Sequence, residues 1–291
     1  MSERRSVVFG VDRLDDGGAA LQWAVREAAA YRVPLRLVHA YRWAMHVGRG
    51  TVFVDLPKRE EEHYRSHAEV VLADAADRVA KLDPTVEVST VALDAEPVPA
   101  LLDESTGALA VVVGGRHLTA LGSGLLGSVS AAVAARASCP AVVVHDGALR
   151  DAARPVVVGV DGTDASEALL DFGFGHGSLH GAALHAVLCW RPDRLAPIEP
   201  RSQHPTDERA KAWLAEALAG WQEKFPDVVV SSVVLDSHPT AGLVTASADA
   251  QLLVVGTHGR HALTGTLLGS VSQGVLHHAT CPIVVVPTHA H

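Results

Sequence analysis

Short runs of aliphatic and β-branched residues alternate along the chain with longer segments rich in alanine and leucine. In the first half the short runs read VVFGV, LRLVHA, VEVSTVAL, ALAVVVG and PAVVVH, and helical periodicity marks residues 19–31, 62–82 and 128–137. Near-continuous apolar strands are typical of parallel sheets that helices cover on both faces. The pattern therefore predicts an α/β fold built on a doubly wound sheet of five strands.

This pattern occurs twice in the chain. Residues 111–144 and 253–286 are identical at 18 of 34 aligned positions, including the segment LLGSVS. Further upstream, VVFGVD ending at Asp12 matches VVVGVD ending at Asp161. A short polar stretch that ends in proline separates the copies and is typical of a linker. We therefore predict two tandem domains, residues 1–147 and 154–291.

Four glycines interrupt the first predicted helix of the second copy. They are Gly173, Gly175, Gly177 and Gly181. Each glycine inside a helix costs about 1 kcal/mol relative to alanine. We expect this helix to be short or distorted.

Composition and net charge limit the kinds of binding partner and the cellular location that we expect. The net charge of −9 argues against nucleic acid and anionic membranes, because both require a clustered cationic surface. Three cysteines cannot form a fully paired disulfide framework, and the apolar residues around Cys139, Cys189 and Cys281 indicate buried thiols in a reducing compartment. Neither a signal peptide nor a membrane-spanning run is recognisable. A cytoplasmic location is expected.

A glycine-rich loop follows a predicted buried strand in the second copy. Gly256 ends the strand, Gly259 and Gly269 follow, and Ser270 begins a helix. Glycine permits positive φ and a close approach of ligand to backbone, while a helix N-terminus attracts anions. We expect Ser270 and Ser272 to add hydroxyl donors. Because a Walker-type lysine is absent, the loop predicts a phosphate cradle made mainly of backbone N–H groups.

Other interpretations stay open for the polar residues. Asp161 either contacts a ligand or turns the chain into the first helix of its copy. Phosphoryl transfer usually needs a carboxylate that holds a metal beside the phosphates, and residues 256–272 contain none. The loop therefore favours binding over efficient catalysis. His277 and His278 are adjacent on a predicted helix and cannot share a face, so no metal site is predicted.

The loop spacing, G-x-x-G followed by nine residues and G-S, resembles the ATP-binding motif of the universal stress protein family. The resemblance covers nearly the whole chain twice. It implies two Rossmann-like domains of the adenine nucleotide alpha hydrolase type, each with a five-stranded parallel sheet in the order 3-2-1-4-5. It also implies ATP as the ligand, with Mg²⁺ as an optional bridging ion. By the same resemblance, Asp161 contacts the adenosine part and the backbone of Cys189 meets the adenine.

The first copy departs from the motif at one position. His117 stands where the second glycine belongs, so nucleotide binding is expected to be weaker there. The other positions match the motif, and the resemblance implies ligand contacts at Asp12, Ala40, Gly114, Gly127, Ser128 and Ser130.

The resemblance implies a regulatory, ATP-binding protein of the bacterial stress response. A slow ATP-hydrolysing or phosphoryl-transferring enzyme is the alternative, and a further alternative makes the first domain a structural copy without ligand. The C-terminal strands of the copies, 140–145 and 282–287, are predicted sheet edges that leave backbone groups to be paired. Similar proteins dimerise through this edge, so we expect a homodimer or an intramolecular domain pair.

Overall fold

The computed structural model of the chain describes residues 5–12, 18–41, 46–47, 50–51, 58–115, 126–163, 165–189, 207–257 and 268–288. These residues fall into two compact units, whose main boundary in the sequence lies between Asp146 and Gly147. Among the described helices, none is long and apolar enough to cross a membrane. Both units have α/β architecture with a parallel main sheet.

The main sheet of the first unit has the strand order β5-β2-β1-β6-β7, and every neighbouring pair is parallel. Two short strands, β3 and β4, form a separate antiparallel pair. The predicted helices 19–31, 62–82 and 128–137 are confirmed to within a few residues. The elements are β1 (Val7–Gly10), α1 (Gly18–Tyr31), β2 (Leu35–Tyr41), β3 (His46–Val47), β4 (Gly50–Thr51), α2 (Lys58–Leu82), β5 (Val88–Asp94), α3 (Pro97–Ser105), β6 (Ala110–Gly115), α4 (Ser128–Arg136) and β7 (Ala141–His145).

The second unit repeats this architecture with the order β10-β9-β8-β11-β12, again entirely parallel. Numbered within each unit by their five long strands, both sheets have the order 3-2-1-4-5. The elements are β8 (Val156–Val160), α5 (Ala165–His180), β9 (Leu184–Cys189), α6 (Asp207–Lys224), β10 (Val230–Leu235), α7 (Pro239–Ala246), β11 (Leu252–Gly256), α8 (Ser270–His278) and β12 (Ile283–Val286).

Burial differs between the two ends of the strand order in each unit. All residues of β7 and β12 are buried, whereas β5 and β10 contain only half-buried and exposed residues. Strand order reverses between β1 and β6 in the first unit and between β8 and β11 in the second. In open parallel sheets, ligands bind beyond the carboxyl ends of the strands at this reversal. The fold therefore fixes where a candidate site should be sought.

One glycine in the first strand of each unit allows a leucine to pack directly on the sheet. A Cβ atom at Gly10 would lie 3.1 Å from Leu101 Cδ1, and one at Gly159 would lie 2.9 Å from Leu243 Cδ2. Both leucines come from the helix after the third long strand and are buried. The two units thus use the same close contact between helix and sheet.

The expectation that the first helix of the second unit is short or distorted is wrong. Helix α5 runs unbroken over 16 residues, and Gly181, with φ of +63°, follows its last residue. A Cβ at Gly173 would lie 2.5 Å from Val158 Cγ2, and one at Gly177 would lie 3.0 Å from the Ala182 carbonyl oxygen. These glycines therefore bring the helix close to its neighbours, and the packing offsets their low helix propensity.

This packing predicts opposite effects for two neighbouring glycines. Gly173→Ala should lower the free energy of unfolding by about 1–3 kcal/mol, because the new methyl group collides with the buried Val158. Gly175→Ala should raise it by about 0.5–1 kcal/mol, because nothing lies within 4 Å of a Cβ there. Chemical denaturation of the two variants compares them directly. Stabilisation by both substitutions would contradict the proposed reason for Gly173.

Candidate functional site

The candidate site of the second unit begins at two neighbouring strand ends. β8 pairs with β11 so that Val158 lies opposite Val254. Two residues further along each strand, β8 ends at Val160 and β11 ends at Gly256. Asp161 follows Val160 directly. The fold therefore brings the predicted aspartate and the start of the glycine loop to the same edge of the sheet, at the strand-order reversal.

Asp161 turns the chain into helix α5. Its Oδ1 atom accepts hydrogen bonds from the Thr163 backbone N–H at 3.0 Å, the Thr163 hydroxyl at 2.6 Å and the Ser166 hydroxyl at 3.3 Å. The interpretation of Asp161 as a turn residue is therefore confirmed. Its contact with a nucleotide stays a prediction, and the turn holds the carboxylate in place at the strand end.

The two described ends of the glycine loop are tied together by Thr257. The Gly269 N–H donates to the Thr257 carbonyl oxygen at 2.8 Å, and the Thr257 N–H donates to the Val286 carbonyl oxygen at 3.0 Å. The hydroxyl oxygen of Thr257 accepts from the Thr288 N–H at 3.1 Å. Sequence reasoning missed Thr257, although its position directly after the strand-ending Gly256 marks it as a point where loop and sheet meet.

Helix α8 begins directly after Gly269, which Thr257 binds. Its N-cap, Gly269, makes no side-chain capping hydrogen bond, and the first N–H that reaches back to the Gly269 carbonyl oxygen belongs to Gln273. Within the helix, the N–H groups of residues 270–272 therefore have no acceptor. Ser270 is exposed. Because the Gly269 N–H is bound to Thr257, the candidate backbone donors lie one to three residues further along than Gly269.

Ser272 and Ser130 occupy equivalent positions with equivalent contacts. The Ser272 hydroxyl donates to the Gly256 carbonyl oxygen at 2.5 Å, and the Ser130 hydroxyl donates to the Gly114 carbonyl oxygen at 2.7 Å. Both serines are buried. Each hydroxyl therefore joins the helix to the end of the preceding strand, which places both serines in the frame of the loop. The exposed Ser270 and Ser128 begin the two helices.

The first glycine of the loop does not use the positive φ that glycine permits. Gly256 and its counterpart Gly114 belong to strands and pair in register with Val286 and Val144. Among the described glycines, positive φ occurs only at Gly107, Gly147, Gly162 and Gly181. Parallel pairing thus keeps Gly256 and Gly114 extended. Around Gly114, nothing lies within 4 Å of a Cβ position, so this glycine leaves open space beside the backbone.

In the first unit, a histidine ring fills the space beside the position that corresponds to Thr257. Gly115 occupies the position of Thr257, and a Cβ there would overlap the His145 ring. His145 is buried and pairs in register with Gly115. Gly259 and His117, the second positions of the two motifs, lie outside the described residues. The described parts of the two sites therefore share the serine contact and differ at the position of Thr257, which is Gly115 in the first unit.

The remaining predicted residues lie at the ends of neighbouring strands. Cys189 ends β9, and Ala40 is the penultimate residue of β2; both are half-buried. Burial raises the pKa of the Cys189 thiol, so at neutral pH the group is a protonated thiol. Asp12 is exposed two residues after β1. Beside it, the buried His39 donates from Nδ1 to the Val11 carbonyl oxygen at 2.7 Å, a contact that the sequence did not reveal.

The other two cysteines are structural, as expected. Cys139 and Cys281 are both buried. Burial raises the pKa of Cys139 to about 12 and that of Cys281 to about 11. Thiols with such pKa values carry almost no thiolate at neutral pH, which argues against a nucleophilic role for either.

Comparison with known proteins agrees with the repeat and the fold. The family model described as the universal stress protein family matches residues 3–145 and again residues 152–287. A universal stress protein from Mycobacterium tuberculosis H37Rv is 37% identical over 289 residues, which are 97% of each chain. Another from Mycolicibacterium smegmatis is 38% identical over 288 residues, or 96% of each chain.

Solved structures show the same fold at low sequence identity. A universal stress protein from Archaeoglobus fulgidus superimposes with a TM-score of 0.71 at 15% identity, covering 99% of this chain and all of the other. One from Pseudomonas aeruginosa gives a TM-score of 0.66 at 16% identity, covering 98% and 94%. With two family matches in tandem and relatives similar over almost their full length, the chain belongs to the universal stress protein family.

Proposed function

We propose that the second repeat binds an adenine nucleotide, with ATP as the favoured ligand, beyond the carboxyl ends of β8 and β11. The observation that carries the proposal is the start of α8, where the N–H groups of residues 270–272 precede the first intrahelical hydrogen bond. Such groups and the helix dipole favour an anionic ligand. Gly256 and Gly269 carry no side chain that could cover the backbone, and Asp161 stands at the adjacent strand end.

The net charge of the protein and the residue types in the glycine loop favour regulatory binding of ATP over its hydrolysis. The net charge of −9 gives no overall attraction for a nucleotide, so the cradle must hold the phosphates locally. Residues 256–272 supply no carboxylate, and Mg²⁺ would therefore be held mainly by the phosphates and water. Nucleotide occupancy would shift the equilibrium between conformations or partners of the protein. Slow hydrolysis is the alternative function.

The first repeat offers a similar frame, with Gly115 in place of Thr257 and one exception within the glycine motif. Helix α4 starts at the uncapped Gly127, the Ser130 hydroxyl binds the Gly114 carbonyl oxygen, and space is open beside Gly114. The exception is His117, where the motif has glycine. We therefore propose a second, weaker nucleotide site in this repeat, at which Asp12 and Ala40 correspond to Asp161 and Cys189.

Calorimetric titration of the full chain with ATP tests both proposals. We expect one tight and one weak site, and His117→Gly should strengthen the weak one. If the loop requires positive φ at residue 117, a histidine there costs about 1–3 kcal/mol, which corresponds to roughly fivefold to more than hundredfold weaker binding. Two equal sites that do not respond to His117→Gly would contradict the asymmetry.

Nucleotide binding and ATP hydrolysis are measured separately on the same protein preparation. Absence of heat with ATP, ADP and AMP would overturn the proposed nucleotide site. Steady-state phosphate release on the order of 1 per second or faster would instead favour the enzyme. Homodimerisation through the C-terminal strands stays a proposal, and the mass of the protein in solution measures it.

A further inference from the structure

Two histidines lie one turn apart on helix α5 of the second unit. His176 and His180 are separated by four residues, so their side chains share one face of the helix. Their ring centroids are 4.3 Å apart, with an angle of 39° between the planes. His176 has no exposed surface, whereas His180 is half-buried. The pair is therefore close enough for both rings to bind one small ligand.

The buried Gln251 contacts the ring of His176. The side-chain amide of Gln251 donates to the carbonyl oxygens of Ala152 at 2.6 Å and Arg154 at 2.8 Å. These two bonds turn its Oε1 atom toward the His176 ring, where Nε2 lies 3.5 Å away. An amide oxygen only accepts hydrogen bonds, so Nε2 is the donor in this contact.

This arrangement is the one that metal-binding histidines adopt. Such a histidine donates one ring N–H to a buried oxygen, and this bond sets the tautomer and orients the other nitrogen toward the metal. The ligating nitrogens of His176 and His180 lie within 4.8 Å of each other. Zinc-to-nitrogen distances of about 2.0–2.1 Å mean that two nitrogens sharing one ion lie no more than about 4 Å apart.

We propose that His176 and His180 bind one divalent transition-metal ion of the class of Zn²⁺ or Co²⁺. Neutral imidazoles suit these ions and bind the oxygen-preferring Mg²⁺ and Ca²⁺ poorly. Two imidazoles leave positions of a four-coordinate ion for further ligands. The site lies at the C-terminal end of α5. Ser166, which contacts Asp161, is ten residues away, or about 15 Å along the helix axis, so this site is independent of the proposed nucleotide site.

Titration of the full-length, untagged protein with Co²⁺, after removal of bound metal by a chelator, tests the proposal. Visible absorption of the bound ion reports on its ligands directly. We expect saturable binding, weakened at least about tenfold by either His176→Ala or His180→Ala. The matched control is His278→Ala, because His277 and His278 are adjacent in sequence with ring centroids 6.4 Å apart. It should leave the titration unchanged.

The two histidine variants differ in their risk to folding. His176 is fully buried, so its substitution can disturb packing, whereas the half-buried His180 is the safer test. Circular dichroism identifies a variant that has not folded, and the other variant then decides. Binding weaker than about 1 mM in the unmodified protein would overturn the proposal. Tight binding that a folded His180→Ala variant retains would do the same, because the ion would then be bound elsewhere.

Discussion

Gly269→Glu should abolish nucleotide binding by the second repeat while leaving the fold intact. Gly269 has φ of −58° and ψ of 150°, which any residue adopts without strain. A carboxylate placed about 4 Å from a phosphate charge costs about 4 kcal/mol at an effective dielectric constant of 20, which corresponds to about thousandfold weaker binding. Calorimetric titration with ATP measures the loss of the tight site.

The chain provides two matched controls for this substitution. Gly127→Glu introduces the same charge at the equivalent N-cap of α4, where φ is −61° and ψ is 143°, and should remove only the weak site. Gly220→Glu adds a carboxylate on α6, where nothing lies within 4 Å of the Cβ position, and should affect neither site. Unchanged ATP affinity in a folded Gly269→Glu protein would refute the assignment of the phosphate cradle.

The architecture could be predicted from the sequence because parallel strands at the centre of a sheet are apolar along their whole length. The segments AVVVGG and LLVVG, which form β6 and β11, contain no polar residue. Repetition of the whole pattern predicted two units. The ends of the strands were equally predictable, since the glycine loop follows β11 directly. Sequence position alone therefore brought Gly256 and Asp161 to the correct edge of the sheet.

Contacts between residues that are far apart in the sequence could not be predicted in the same way. Helix propensity penalises Gly173, but the decisive neighbour is Val158, on a strand that precedes the helix and packs against it. Ser272 looked like a phosphate donor because it follows a glycine loop, whereas its hydroxyl binds the Gly256 carbonyl oxygen. The Gly269 N–H similarly binds Thr257. In each case the partner is set by packing in three dimensions, which motif spacing does not encode.

Leu243→Ala should have the largest effect on stability, lowering the free energy of unfolding of the second unit by about 2–5 kcal/mol. Leu243 is 4% exposed and packs from α7 onto Gly159 of β8. Because glycine has no side chain to move into the space, the cavity would remain largely open. Leu101→Ala removes the equivalent contact with Gly10 and should destabilise the first unit similarly. Chemical denaturation of each variant measures the change.

A double-mutant cycle identifies the contact itself as the cause. Gly159→Ala alone should destabilise by about 1–3 kcal/mol, because its methyl group would lie 2.9 Å from Leu243 Cδ2. In the Leu243→Ala background the same methyl group occupies the vacated space, so the loss in the double variant should be smaller than the sum of the single losses. Leu179→Ala, at a leucine 38% exposed on α5, should change stability by no more than about 0.5 kcal/mol. Strict additivity of Gly159→Ala and Leu243→Ala would show that helix α7 does not depend on this glycine for its close approach to the sheet.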